Sequence, residues 1–228
     1  MCIEKNLKNI REQMIEACNN SNRNISDITL IAVTKTKPVE MILKAIQAGS
    51  EHLGENKVQE IIDKYPEIAA DVKWHMIGHL QTNKIKYIID KVELIHSVDS
   101  LKLAQAIDKE AKKINKVQNI LIQVNMAREE SKFGIDKNDT ENIICEISKL
   151  NNLRIKGLMT VAPFVENPEE NRPIFKEMLQ LYIDINSKNI DNVVMDTLSM
   201  GMTNDFAVAI EEGATMVRIG TAIFGHRN

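Results

Sequence analysis

Lys35 stands at the end of a short apolar run, Ile28-Thr29-Leu30-Ile31-Ala32-Val33-Thr34, and two residues ahead of Lys37-Pro38. The run is rich in β-branched residues and is closed by the proline, which is the pattern of a buried strand. Alternate strand residues share a face, so Ile31, Val33 and Lys35 fall on one side and Leu30, Ala32 and Thr34 on the other. The amine therefore follows an apolar face inward. Partial desolvation there lowers its pKa and frees the lone pair needed to attack an aldehyde and form a Schiff base. A strand-end lysine can equally snorkel its ammonium to water. What separates the two readings is whether the chain also offers a phosphate site and repeated strand-helix units. The histidines add no metal chemistry: His75 and His79 are four apart, but Gly78 intervenes and no glutamate follows His75, so no zinc site is assigned.

The elements that must position such an amine come from the whole chain. At 228 residues and 43% hydrophobic content it can bury a full core, and residues 1–228 are expected to form a single domain. A net charge of -3 without a basic stripe argues against nucleic acid as a partner; Lys112-Lys113 and Lys84-Ile85-Lys86 read as solvated helix faces. Cys2, Cys18 and Cys145 are odd in number and widely spaced, which suggests neither disulfides nor a zinc ligand set, so a reducing cytoplasm is the expected compartment. The start carries Glu4, Lys5 and Lys8 rather than an apolar leader, and no apolar stretch approaches the ~18 residues of a membrane span.

Periodicity divides the chain into a first helix over 3–19 and then alternating units. Strand and helix candidates pair as 28–34 with 39–47, 52–53 with 57–64, 72–77 with 82–91, and 93–97 with 101–114. They continue as 117–124 with 138–150, 153–158 with 174–185, 194–198 with 206–212, and 215–219 with a short terminal helix. Eight such units favour a parallel (β/α)8 barrel, of the TIM type and with an extra N-terminal helix, over a flavodoxin-like sheet, which needs only about five. Barrel chemistry sits at the C-terminal strand ends. That rule selects Lys35, Asn56, His75, Asn125, Met159-Thr160, Ser199 to Thr203 and Arg218 to Thr221. The longest loop, Ala162 to Pro173, holds three of the five prolines and reads as a surface insertion or a lid.

Barrels often bind phosphate in the loops after strands seven and eight, beside a short extra helix. Here those loops carry Ser199-Met200-Gly201-Met202-Thr203 and Arg218-Ile219-Gly220-Thr221-Ala222. Gly201 and Gly220 allow close backbone approach, and Ser199, Thr203 and Thr221 offer hydroxyls. The helix starting near Thr221 directs free N–H groups at an anion. Either segment alone is an ordinary turn. Both, at the two places where the barrel rule puts them and opposite a buried amine, favour a phosphorylated aldehyde.

Several strings then resemble the pyridoxal phosphate homeostasis protein family over essentially the whole chain. They are Ala32-Val33-Thr34-Lys35-Thr36-Lys37-Pro38, Gly54-Glu55-Asn56-Lys57-Val58-Gln59-Glu60, Trp74-His75-Met76-Ile77-Gly78-His79-Leu80-Gln81-Thr82-Asn83-Lys84, Gly157-Leu158-Met159-Thr160, Ser199-Met200-Gly201-Met202-Thr203 and Val217 to Gly225. The resemblance implies a fold-type III barrel, as in alanine racemase, with pyridoxal 5'-phosphate covalently bound as an internal aldimine to Lys35 and not Lys37. It implies a phosphate cradle in the glycine-bearing segments, His75 near the ring, and Arg218 facing the pyridine nitrogen. A guanidinium is a donor only, so that nitrogen would stay unprotonated and the ring would be a poorer electron sink. The alternative for Arg218 is a carboxylate partner at the barrel mouth. Met200 and Met202 read as packing around the cradle. Thr34 and Thr203 replace the family's common serine, and Lys57 replaces a frequent tyrosine.

The resemblance favours a non-catalytic carrier that keeps the aldehyde masked and available to pyridoxal phosphate-dependent apoenzymes. It implies a second or transfer site at Lys132, against the alternative of a solvated loop lysine balancing Glu129 and Glu130. No catalytic residue is assigned. The competing class is a racemase or decarboxylase on the same barrel; a third is a Schiff-base aldolase. Racemisation needs a second acid/base opposite the lysine, and Tyr65, Tyr87 and Tyr182 all fall in helical patterns away from strand ends. The sequence closes just after the eighth unit, where the racemases add a second domain. A monomer is expected.

Overall fold

The computed structural model describes residues 2–126 and 133–225. Helix α1 (Ile3–Asn20) turns Ile3, Leu7, Ile10, Met14, Ala17 and Cys18 to one buried stripe, as their spacing predicts. After it, strands β1 (Thr29–Val33), β2 (His52–Glu55), β3 (Lys73–Met76), β4 (Val92–Val98) and β5 (Gln118–Asn125) alternate with α2 (Val39–Gln47), α3 (Val58–Lys64) and α4 (Leu101–Lys113). A two-residue strand β6 (Ile135–Asp136) and α5 (Thr140–Ile147) follow. Then come β7 (Leu153–Met159), α6 (Arg172–Ser187), β8 (Val193–Met202), α7 (Phe206–Glu211), β9 (Met216–Ile219) and α8 (Thr221–Phe224).

All strand pairs are parallel, in the order β4-β3-β2-β1-β9-β8-β7-β5, and a β4–β5 pairing closes the ring. This is the eight-stranded (β/α)8 TIM barrel that the alternation predicts, with α1 outside the repeat. Two layers of core result. Ala32, Leu53, Trp74, Ile120, Ile155, Leu198 and Val217 pack outward beneath the helices. Inside the ring the apolar filling is a small cluster of Leu94, Leu121 and Met159, joined by Val161 and Met216, together with Ile31 and Val33 of β1. The remaining interior is largely polar, which is unusual for a barrel whose centre is normally filled with branched aliphatics.

Three elements depart from the sequence pattern. The segment after β3 is a 3-10 helix over Thr82–Tyr87 rather than an α-helix to residue 91; Ile85 and Ile88 are both fully buried, and their three-residue spacing suits that tighter turn. Asp136 caps a 3-10 turn (Lys137–Asp139) by accepting from the Asn138 N–H at 2.8 Å, so α5 starts later than the apolar pattern. Finally β8 runs on through Ser199 and Gly201 to Met202, where the sequence pattern predicts a loop. Its pairing with β9 shifts by one residue between Ser199 and Met202, and Gly201 sits at φ 88 in that bulge. An added Cβ there would lie 2.5 Å from the Ala209 Cβ, so Gly201 serves the packing of α7 on the sheet.

Candidate functional site

At the C-terminal mouth of the barrel lies a cavity of about 490 Å³, within the roughly 300–1,000 Å³ of small-molecule sites. Lys35, Asn56, Thr203, Arg218, Gly220 and Thr221 line it together with Val33 and Ile77. Pro163, Phe164 and Val165, from the proline-rich loop, form one wall, and Phe164 is 85% exposed. That loop therefore overhangs the site rather than lying apart from it.

The lysine is carried by a turn fixed from outside the barrel. Ile31 and Val33 are buried inward as the strand register predicts, while Thr34 points outward to the helices. Thr34 Oγ1 donates to Glu55 Oε1 at 2.6 Å, and Lys64 Nζ donates to the Thr34 carbonyl at 2.9 Å. Lys64 also bridges Glu55 at 2.8 Å and Glu60 at 2.7 Å, and Glu60 accepts from the Thr36 N–H at 2.6 Å. The last contact holds Thr36 at φ 62, a left-handed conformation that a threonine rarely adopts. Burial pushes the Glu55 carboxyl above its ordinary value against the opposing pull of Lys64 and Thr34. Lys37 faces elsewhere: its Nζ donates to the carbonyls of Phe224 at 3.3 Å and Gly225 at 3.0 Å, at the end of α8.

Arg218 is held from within. Its Nη1 donates to Ser199 Oγ at 2.6 Å and its Nη2 to the Thr160 carbonyl at 2.8 Å. Burial lowers its pKa to about 10, partly offset by the charge of Asp205. Among the described residues no carboxylate comes within ion-pair distance of it, so the expected alternative of a carboxylate partner is not what the structure has. Asp205 is already committed, accepting from Asn171 Nδ2 at 2.8 Å and from the Met202 N–H at 2.7 Å.

Six of the predicted site residues thus meet in one cavity. Three do not reach it. His75 lies within β3, buried below the mouth, with its ring bonded to two other histidines. Ser199 is fully buried and its hydroxyl lies between Arg218 and His96, so the expected hydroxyl donation to a phosphate is not available from it. Gly201 is a packing glycine in the bulge. Conversely, the sequence pattern does not reveal the outer network of Glu55, Glu60 and Lys64, although Glu60 and Lys64 are spaced i,i+4 on a helix. Lys132 lies outside the described residues.

Among the described residues the cavity presents features that suit an anionic, carbonyl-bearing ring: an amine, a buried guanidinium without a carboxylate, and Asn56, whose buried Oδ1 has no hydrogen-bond partner. At Gly220 an added Cβ would come within 3.3 Å of Val33, which leaves backbone rather than side chain facing the space. Comparison with known proteins agrees. Residues 3–228 match the family described as alanine racemase, N-terminal domain. A pyridoxal phosphate homeostasis protein of Aquifex aeolicus (strain VF5) is 43% identical over 222 residues, covering 97% of this chain and 96% of that protein. The chain belongs to the pyridoxal phosphate homeostasis protein family.

PipY of Synechococcus elongatus PCC7942, solved with pyridoxal phosphate bound, superposes with a TM-score of 0.86 at 32% identity, covering 98% of this chain and 100% of that one. An alanine racemase of Clostridium difficile 630 shares the fold at a TM-score of 0.71 and 17% identity, and this chain spans 57% of it. The family's barrel is thus common to both, and none of the three tyrosines here lines the cavity: Tyr65 and Tyr87 are exposed, and the Tyr182 hydroxyl donates to the Met195 carbonyl. No helix among the described residues is long and apolar enough to cross a membrane.

Proposed function

We propose that this protein binds pyridoxal 5'-phosphate in the mouth cavity and serves its homeostasis, holding the aldehyde covalently through Lys35 and making it available to apoenzymes without turning over amino acids. The observation that carries the reading is the pairing of Lys35 with a buried Arg218 that has no carboxylate among the described residues, in one cavity with Thr203, Gly220 and Thr221. When bound, the cofactor would supply an aldehyde, a pyridine nitrogen and a phosphate. Lys35 is the residue that would hold the first; Arg218 is the donor suited to the second. Thr203, Thr221 and the backbone at Gly220 suit the third, by charge-assisted hydrogen bonds of roughly 1.5–3 kcal/mol each. The PipY complex supports the choice of ligand. The absence of a tyrosine from the cavity supports a carrier over a racemase, because racemisation needs a second proton-transfer group opposite the lysine.

Borohydride reduction of the loaded protein followed by peptide mapping tests the attachment. The adduct is expected on Lys35 and absent in Lys35→Ala, with Lys37→Ala still labelled. Unphosphorylated pyridoxal is expected to bind far more weakly; equal affinity for the two would remove the phosphate site. Lys35-dependent turnover of any L- or D-amino acid at enzyme-like rates would overturn the carrier reading.

A further inference from the structure

Beneath Arg218 an unbroken row of hydrogen bonds crosses the barrel interior. Arg218 Nη1 meets Ser199 Oγ at 2.6 Å, Ser199 Oγ meets His96 Nδ1 at 3.0 Å, and His96 Nε2 meets His75 Nδ1 at 3.0 Å. His75 Nε2 then meets His52 Nδ1 at 2.9 Å. The five residues come from β9, β8, β4, β3 and β2. Ser199, His75 and His96 are buried, whereas His52 is half-buried and lines a second cavity of about 320 Å³ with Ser50 and Arg11. The row therefore joins the mouth cavity to a different opening, and it occupies space that a barrel ordinarily fills with aliphatic side chains.

The row has a direction, set at one end. A guanidinium can only donate, so Ser199 Oγ must accept from it. The serine has one hydrogen of its own, and its other partner among the described residues is His96 Nδ1. Were His96 to donate instead, the serine hydrogen would be left without an acceptor at a fully buried position, which folded proteins avoid. Ser199 thus donates to His96 Nδ1, and each ring passes the constraint on. His96 donates from Nε2 to His75, His75 donates from Nε2 to His52, and His52 keeps its proton on Nε2. All three rings share one neutral tautomer. Burial lowers the pKa of His75 to about 3 and that of His96 well below its ordinary value, so neither ring competes by becoming a two-sided donor.

We propose that Ser199, His96, His75 and His52 are positioning residues for Arg218: the ordered tautomers hold the serine lone pair toward Nη1 and so fix how the guanidinium meets the ligand. The proposal rests on the reading that the ligand sits against Arg218, yet the row itself exists without ligand. Two of the five guanidinium donors are spent on fixed protein acceptors, and one acceptor, Ser199, is locked by a partner three rings deep.

Imidazole ¹⁵N–¹H correlation spectra of the unliganded full chain test it, with assignment by single substitution. His52, His75 and His96 are each expected to show a protonated Nε2 and a bare, accepting Nδ1. A protonated Nδ1 on His75 or His96 overturns the proposal. In Ser199→Ala the source of direction is removed, so His75 and His52 are expected to become tautomer mixtures and pyridoxal phosphate affinity to fall about tenfold. Ser199→Thr, which keeps the hydroxyl, is expected to restore both. Unchanged tautomers or unchanged affinity in Ser199→Ala refute the link to Arg218, and if that variant fails to fold the spectra of the unsubstituted protein still decide. Absence of pyridoxal phosphate binding by a protein with the ordered tautomers would count against the proposed function instead, and not against the row.

Discussion

Lys35 and Arg218 face the same cavity from adjacent strands of the ring, yet they are secured by opposite means. The turn bearing Lys35 is braced from outside the barrel by full charges, with Glu55, Glu60 and Lys64 gripping the backbone and hydroxyl of its neighbours. Arg218 is braced from inside by neutral groups, and the grip is on its own guanidinium. The difference suits the roles proposed for each. An amine that is to form and release a covalent bond would need a fixed base and a side chain able to move, whereas a donor aimed at a ring would need its head group fixed. A charged brace inside the ring would also compete electrostatically with an anionic ligand, and histidines held neutral do not.

Breaking the outer brace should have the largest effect. Lys64→Ala leaves Glu55 buried without its cation, a change that typically costs 3–5 kcal/mol. Urea unfolding is expected to show a loss of that order, and the double change Glu55→Gln with Lys64→Met to recover most of it. Retention of full stability in Lys64→Ala would mean that the network is decorative. The inner brace should respond to acid in the opposite sense. His75 titrates near 3 when folded against about 6.5 when unfolded. Its contribution is therefore complete above pH 6.5 and is lost as pH falls toward 3, because the unfolded chain binds the extra protons. His96 shifts the same way. Glu55 shifts the other way, so mild acid should loosen the Arg218 side first. Unfolding midpoints measured between pH 7.5 and 4.5 are expected to fall by the equivalent of a few kcal/mol, with a shallower slope in His75→Gln. The smallest effect is reserved for Lys37→Ala. It removes a cation from the carbonyls that end α8, worth about 0.3–1 kcal/mol, and should leave ligand attachment on Lys35 intact.

The two braces also differ in how far the sequence discloses them. The strand that carries Lys35 is local: a β-branched run, a proline and a period of two suffice to place the amine inward, and the structure keeps that register. The alternation of strands and helices is local too, and it gives the barrel. The histidine row is not. Its members lie 23, 21, 103 and 19 residues apart along the chain, distances set by the lengths of intervening helices and loops rather than by any period. His52 and His96 consequently carry no motif. Ser199 misleads for a related reason, since its place beside a glycine suggests a loop while the bulge at Gly201 keeps it in the strand and turns its hydroxyl inward. Glu55 is a third case: no periodicity singles it out, and only the return of α3 brings Lys64 to cover it.

One further consequence concerns the seam where β1 pairs with β9, aligning Ile31 with Arg218 and Ala32 with Ile219. The amine and the guanidinium of the cavity stand on either side of this seam, one near the start of the sequence and one near its close. Helix α1 spans the same divide, with Asn6 donating to the Ile223 carbonyl across 217 positions. During synthesis, therefore, the parts of α1 and β1 that meet α8 and β9 must wait until those distant elements have emerged, a demand that slows folding and favours assistance. A chain interrupted before β9 lacks one half of the cavity, so ligand capture would report closure of the ring, and coloration of the protein by its ligand would serve as an assay of folding itself.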